Sequence, residues 1–177
     1  MHDIEHPTSV VIATDSELIG ESLAALLDAC ADVELVGRAQ SNEQLGELVA
    51  ELTPDAVIIS IRTSMTAADA TSMATMEVAR HLRLEFPSLA IVIISDRGNG
   101  FALDLLRSGS SRIAYLIDDP LLGLEGVLRV IAELRAGQTV LDPSIVDALV
   151  SRQRTGAPLG AKGDPVIGEV DGPNAGE

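Results

Sequence analysis

Val10-Val11-Ile12-Ala13-Thr14-Asp15-Ser16 sets four apolar residues, three of them β-branched, directly before three polar ones. This is the pattern of a short strand covered on both faces, ending where side chains meet solvent. Comparable runs recur along the chain at Val33-Glu34-Leu35-Val36, Ala56-Val57-Ile58-Ile59, Ile91-Val92-Ile93-Ile94 and Ala114-Tyr115-Leu116-Ile117. Helical patterns separate them. Ile19, Leu23, Leu26, Leu27 and Cys30 fall on one face of a first helix. Ser41 with Gln44 forms a capping-box start for a second, running to about Leu52. A third is expected over about Ala70–Leu84, stopped by Pro87, and a short fourth over about Gly100–Arg107. The fifth carries Leu124, Leu128, Ile131 and Leu134 and ends with Arg135 and Gly137. Asp142-Pro143 then reads as N-cap and first residue of a sixth helix reaching about Arg154. Strict alternation of strand and helix calls for an α/β fold, a right-handed, doubly wound, five-stranded parallel sheet with an extra C-terminal helix. In such sheets the functional crevice lies at the carboxyl ends of the strands.

The 177 residues hold 27 acidic and 12 basic side chains, a formal net charge of −15. That length suits one domain with its own core. Residues 1–7 are expected to be a flexible N-terminus and residues 8–154 the domain. Residues 155–177 hold six glycines and three prolines and few large apolar groups, which predicts a disordered acidic tail. An acidic surface repels phosphate backbones and anionic lipid, so neither direct nucleic-acid binding nor membrane binding is expected. Phe86, Phe101 and Tyr115 are the only aromatics, too few for a base-stacking platform. Cys30 is the only cysteine, and the first residues lack a signal-peptide pattern, so the expected location is cytoplasmic. Cys30 is expected as an inert thiol on the apolar stripe of the first helix, and His81, between Arg80 and Arg83, as a surface histidine.

Over residues 8–154 the sequence resembles a response-regulator receiver domain, of the branch that normally carries a LuxR/NarL-type helix-turn-helix. The resemblance rests on Val10–Leu18, Pro54–Arg62, Ile91–Ser95, Ala114–Asp119 and Gly137–Val146. It implies a flavodoxin-like receiver fold without the DNA-binding output domain. Receivers carry an acidic pair after the first strand, a phosphoacceptor aspartate after the third, Thr or Ser after the fourth and lysine after the fifth. The carboxylates hold Mg²⁺, and the lysine pairs with the phosphoryl oxygens. At the matching positions this chain has Thr14 and Asp15, then Ser60, Ser95 and Asp118. Tyr115 keeps the aromatic that in the family swings on activation.

The resemblance therefore predicts a receiver pocket that has lost its chemistry. Ser60 is a weak nucleophile with no histidine beside a strand end to activate it. Asp15 is the only family-type metal ligand left, so no metal and no Mg²⁺ cofactor are expected. Asp118 opposes an incoming phosphoryl group. At ~4 Å and an effective dielectric of ~20, exchanging attraction for repulsion shifts the energy by roughly 8 kcal/mol before screening. The expected function is a non-enzymatic pseudo-receiver acting through protein contact or self-association in two-component signalling or transcriptional regulation. Leu121 and Leu122, at the start of the fifth helix, are candidates for the partner face. The alternative is a small-molecule or cation sensor that uses the acidic crevice of Thr14, Asp15, Ser60, Ser95 and Asp118.

Overall fold

The computed structural model describes residues 6–61, 68–96, 111–117 and 123–155. The elements run β1 (Thr8–Ala13), α1 (Glu17–Asp28), β2 (Val33–Ala39), α2 (Asn42–Leu52), β3 (Ala56–Ile61), α3 (Ala68–Glu85), β4 (Ala90–Ser95) and β5 (Ile113–Ile117). They continue with α4 (Gly123–Arg135), β6 (Thr139–Leu141) and α5 (Pro143–Thr155). The short helix expected near residues 100–107 and the tail beyond residue 155 lie outside the described residues, as do the first five.

The sheet is parallel, in the order β2-β1-β3-β4-β5-β6. Among the described residues the expected five strands are thus six. Thr139-Val140-Leu141 pairs with Ile113, Ala114 and Tyr115. Three residues are too few for a periodicity signal, so this strand is defined by its pairing partner instead of by its own pattern. What aims it there is the end of α4. Gly137 has φ +86°, and the Gly137 and Gln138 N–H groups donate back to the carbonyls of Leu134 and Glu133. That Schellman closure needs a left-handed residue and reverses the chain onto the sheet edge.

Alternation along each strand divides the core between the two faces. Val10, Ile12, Ala56, Ile58, Ala90, Val92, Ala114 and Leu116 pack with Leu23 and Leu27 of α1 and Val127, Ile131 and Leu134 of α4. Val11, Ala13, Val57, Ile59, Ile91, Ile93, Ile113 and Tyr115 pack with Leu45 and Val49 of α2 and Met76, Ala79 and Leu82 of α3. Ile145 of α5 joins this second cluster. Burial on both sides explains why the central strands are continuously apolar.

Helix ends follow the sequence closely. Ser41 Oγ accepts from Gln44 N, while Gln44 Oε1 reaches back to the N–H of Gln40, one residue before the cap. Asp142 Oδ1 accepts from Ser144 N at the start of α5, and the Asp142 N–H donates to the Tyr115 carbonyl. Cys30 lies two residues past the end of α1 and is partly buried, so the first-helix stripe stops at Leu27. Arg112 takes φ 61°, and its guanidinium donates to the carbonyls of Leu134 and Arg135 at the end of α4. A cation there satisfies carbonyls that lack helical partners.

Ile93 is fully buried at the centre of the sheet, whereas Leu18 on α1 is 74% exposed. Ile93→Ala is expected to cost about 2–5 kcal/mol, and Leu18→Ala to stay within about 0.5 kcal/mol. Urea unfolding midpoints of the two variants check this; equal losses would contradict the burial pattern.

Candidate functional site

Three strand ends and one helix start build a cavity of about 270 Å³ at the carboxyl edge of the sheet. Its apolar floor is Ala13, Ala39, Ile59 and Ile61, and Thr14, Asp15 and Ser60 line it from the ends of β1 and β3. Ser41 and Asn42 enter from the first turn of α2, and Thr75 from α3. The cavity therefore sits on the α2–α3 side of the sheet.

Local hydrogen bonds fix much of its rim. Thr14 N donates to the Ala39 carbonyl, joining the ends of β1 and β2. Thr14 Oγ1 accepts from Ser16 N, and Ser16 is the N-cap of α1. Thr75, buried, donates through Oγ1 to Asn42 Oδ1 at 3.3 Å, which ties α3 to α2 across the cavity. Ser60 shares the strand parity of Ala56 and Ile58, so its side chain belongs to the α1–α4 face of β3. Asp15 is exposed, and among the described residues it has neither an ion-pair nor a hydrogen-bond partner.

Ser95 is nearly completely buried and is not among the residues lining the cavity. It is instead hydrogen-bonded to Tyr115, which is also buried. Burial pushes the Tyr115 phenol above its ordinary value, with the Asp96 charge adding to the rise; the Ser95 hydrogen bond pulls the other way. The structure thus brings Thr14 and Asp15 to one cavity that Ser60 also borders, although the Ser60 side chain belongs to the opposite face of β3, and couples Ser95 to Tyr115 in a separate pair. Asp118, Leu121 and Leu122 lie outside the described residues. Among those described, no group of three or more His, Cys, Asp or Glu side chains could hold a metal ion.

The sequence reading missed Asn42 and Thr75. Asn42 follows the Ser41 cap and Thr75 falls inside the third-helix pattern, so neither stands at a strand end. Nothing but their packing across α2 and α3 identifies them. His81 is exposed on α3 and pairs with Glu85 at 3.2 Å, as expected of a surface histidine.

A doubly wound parallel sheet with this strand order defines the fold as receiver-like, within the flavodoxin-like class. No family model matches the chain. The chain is 28% identical over 163 residues to the "DNA-binding transcriptional activator DevR/DosR" of Mycobacterium tuberculosis, covering 92% of this chain and 69% of that protein. It is 22% identical over 166 residues to the "Transcriptional regulatory protein LnrK" of Bacillus subtilis, covering 93% and 68% respectively. Among solved structures, the isolated REC domain of RcsB from Salmonella enterica serovar Typhimurium aligns with a TM-score of 0.60 at 19% identity. That match covers 80% of this chain and 98% of the other. A LuxR-family two-component response regulator from Aurantimonas sp. aligns at TM-score 0.63 and 19% identity, covering 84% and 99%. These structures share the fold. Among the described residues no helix is long and apolar enough to cross a membrane.

Tyr115 is the only tyrosine and the chain has no tryptophan, so its ionisation is directly readable by ultraviolet absorbance. The phenol should ionise above its ordinary value of 10.0, and Ser95→Ala should raise the midpoint further by removing the hydrogen bond that lowers it. Because the folded value is the raised one, the associated stability is full below the unfolded value and is lost as pH rises through the folded value. A midpoint at or below the ordinary value would contradict the buried placement.

Proposed function

We propose that this chain is a signalling module of the two-component type whose receiver-like domain works by protein contact without accepting a phosphoryl group. The observation that carries this reading is Ser60. It occupies the end of β3, where the resemblance requires a carboxylate that can form an acyl phosphate. Thr14 in place of one member of the acidic pair, and Asp118 in place of the lysine one residue past β5, support it further. A lone Asp15 offers too little charge to strip the tightly held waters of Mg²⁺. The relatives' titles supply the signalling context: one is a DNA-binding transcriptional activator and another a transcriptional regulatory protein.

With phosphotransfer removed, what the fold still offers is an acidic surface. Charge of one sign selects partners and sets encounter rates more than it sets fold stability. The fitting partners are proteins, including a second copy of the chain or a related regulator. Direct binding to a nucleic-acid backbone is opposed by a net charge of −15.

The test is incubation of the full chain with a small acyl-phosphate donor and Mg²⁺, read by intact-mass spectrometry and light scattering. No base-labile phosphoryl adduct and no donor-dependent change in mass of the particle are expected. A base-labile adduct of one phosphoryl group would overturn the reading. So would a strictly monomeric chain from which chemical cross-linking in cells recovers no protein partner.

A further inference from the structure

The cavity beneath Asp15 has its own chemical logic, independent of the reading above. Several of its polar groups are already engaged: Thr14 Oγ1 with Ser16 N, Ser41 Oγ with Gln44 N, and the Gln40 N–H with Gln44 Oε1. Two are not. The Asp15 carboxylate has no partner among the described residues. Asn42 receives the Thr75 hydroxyl on Oδ1, which leaves both protons on Nδ2 without an acceptor among those residues. With Oδ1 facing the Thr75 hydroxyl, Nδ2 is the side of the amide left to donate to anything entering the space. Below these groups lie four apolar side chains, Ala13, Ala39, Ile59 and Ile61.

One anionic acceptor, one amide donor and an aliphatic floor are complementary to a ligand with three matching parts. We propose that this cavity binds a small aliphatic primary amine that carries a carbonyl next to the amine, the chemistry of an α-amino amide. The ammonium pairs with Asp15, the carbonyl accepts from Asn42 Nδ2, and the aliphatic group covers the four-residue floor. At about 270 Å³ the space lies just under the roughly 300–1,000 Å³ typical of ligand pockets, which limits the occupant to a small molecule or the first residue of a longer one. The Asp15 charge disfavours phosphates and carboxylates. A free amino amide and the amino terminus of a polypeptide present the same chemistry, and the test separates them.

The experiment is a titration of the ¹⁵N-labelled full chain with leucinamide at about pH 6.5, below the α-amino pKa of about 7.7–8.0. Amide shifts are expected at residues 13–15, 39–42 and 59–61. N-acetyl-leucinamide, which keeps the shape and loses the charge, should bind about tenfold more weakly, as should leucinamide to Asp15→Asn. Asn42→Ala should weaken binding several-fold, with the rest of the spectrum unchanged. Leucyl-glycyl-glycine binding as well as leucinamide extends the ligand class to polypeptide termini; binding of leucinamide alone confines it to the free amide. No shifts up to about 10 mM, equal binding of the acetylated probe, or shifts confined to the outer faces of α2 and α3 overturn the proposal. The acetylated probe uses the unaltered chain, so the proposal stays falsifiable if a variant does not fold.

Discussion

Burial of one parallel sheet on both faces is the constraint on which the rest of this molecule depends. Val57, Ile58, Ile91, Val92 and Ile113 are fully buried, so β3, β4 and β5 have no solvent side on which to carry polar groups. Each strand must place its backbone hydrogen bonds within the sheet and its side chains into two separate clusters. Polar chemistry is thereby pushed to the strand ends. Ser60, Ser95 and Asp15 all occur within the last residue or two of a strand or just beyond it. A polar group any deeper needs a partner within the core, as the Tyr115 phenol has in Ser95.

That constraint also explains how much could be read before the fold was seen. Continuous β-branched runs at residues 10–13, 56–59 and 91–94 identify doubly covered strands, and Ser41, Pro87, Gly137 and Asp142 punctuate the helices between them. All of this chemistry is local. β6 escaped because its three residues become a strand only through pairing with β5, after Gly137 has turned the chain. The site was legible only along the sheet edge. Thr14, Asp15 and Ser60 stand at predicted strand ends, and they do line a cavity. Asn42 and Thr75 come from two helices thirty-three positions apart in sequence, and only the packing of α2 on α3 joins them.

The separation of Ser95 and Tyr115 from the cavity has the same origin. Both belong to the α2–α3 side by strand parity, but they stand on β4 and β5, away from the β1–β3 ends that form the opening. Their hydrogen bond closes a buried polar pair whose members would otherwise each be costly. Asp15 is placed differently, at an exposed rim, where its charge remains solvated and its field reaches whatever approaches. One end of the sheet therefore holds an inward-facing polar pair and an outward-facing charge, side by side and with separate environments.

The bond from the Asp142 N–H to the Tyr115 carbonyl links the middle of β5 to the start of α5. Asp142 also caps α5 through its carboxylate, so one residue grips β5 with its backbone and the helix with its side chain. The start of α5 is thereby held to β5 through the two ends of a single residue.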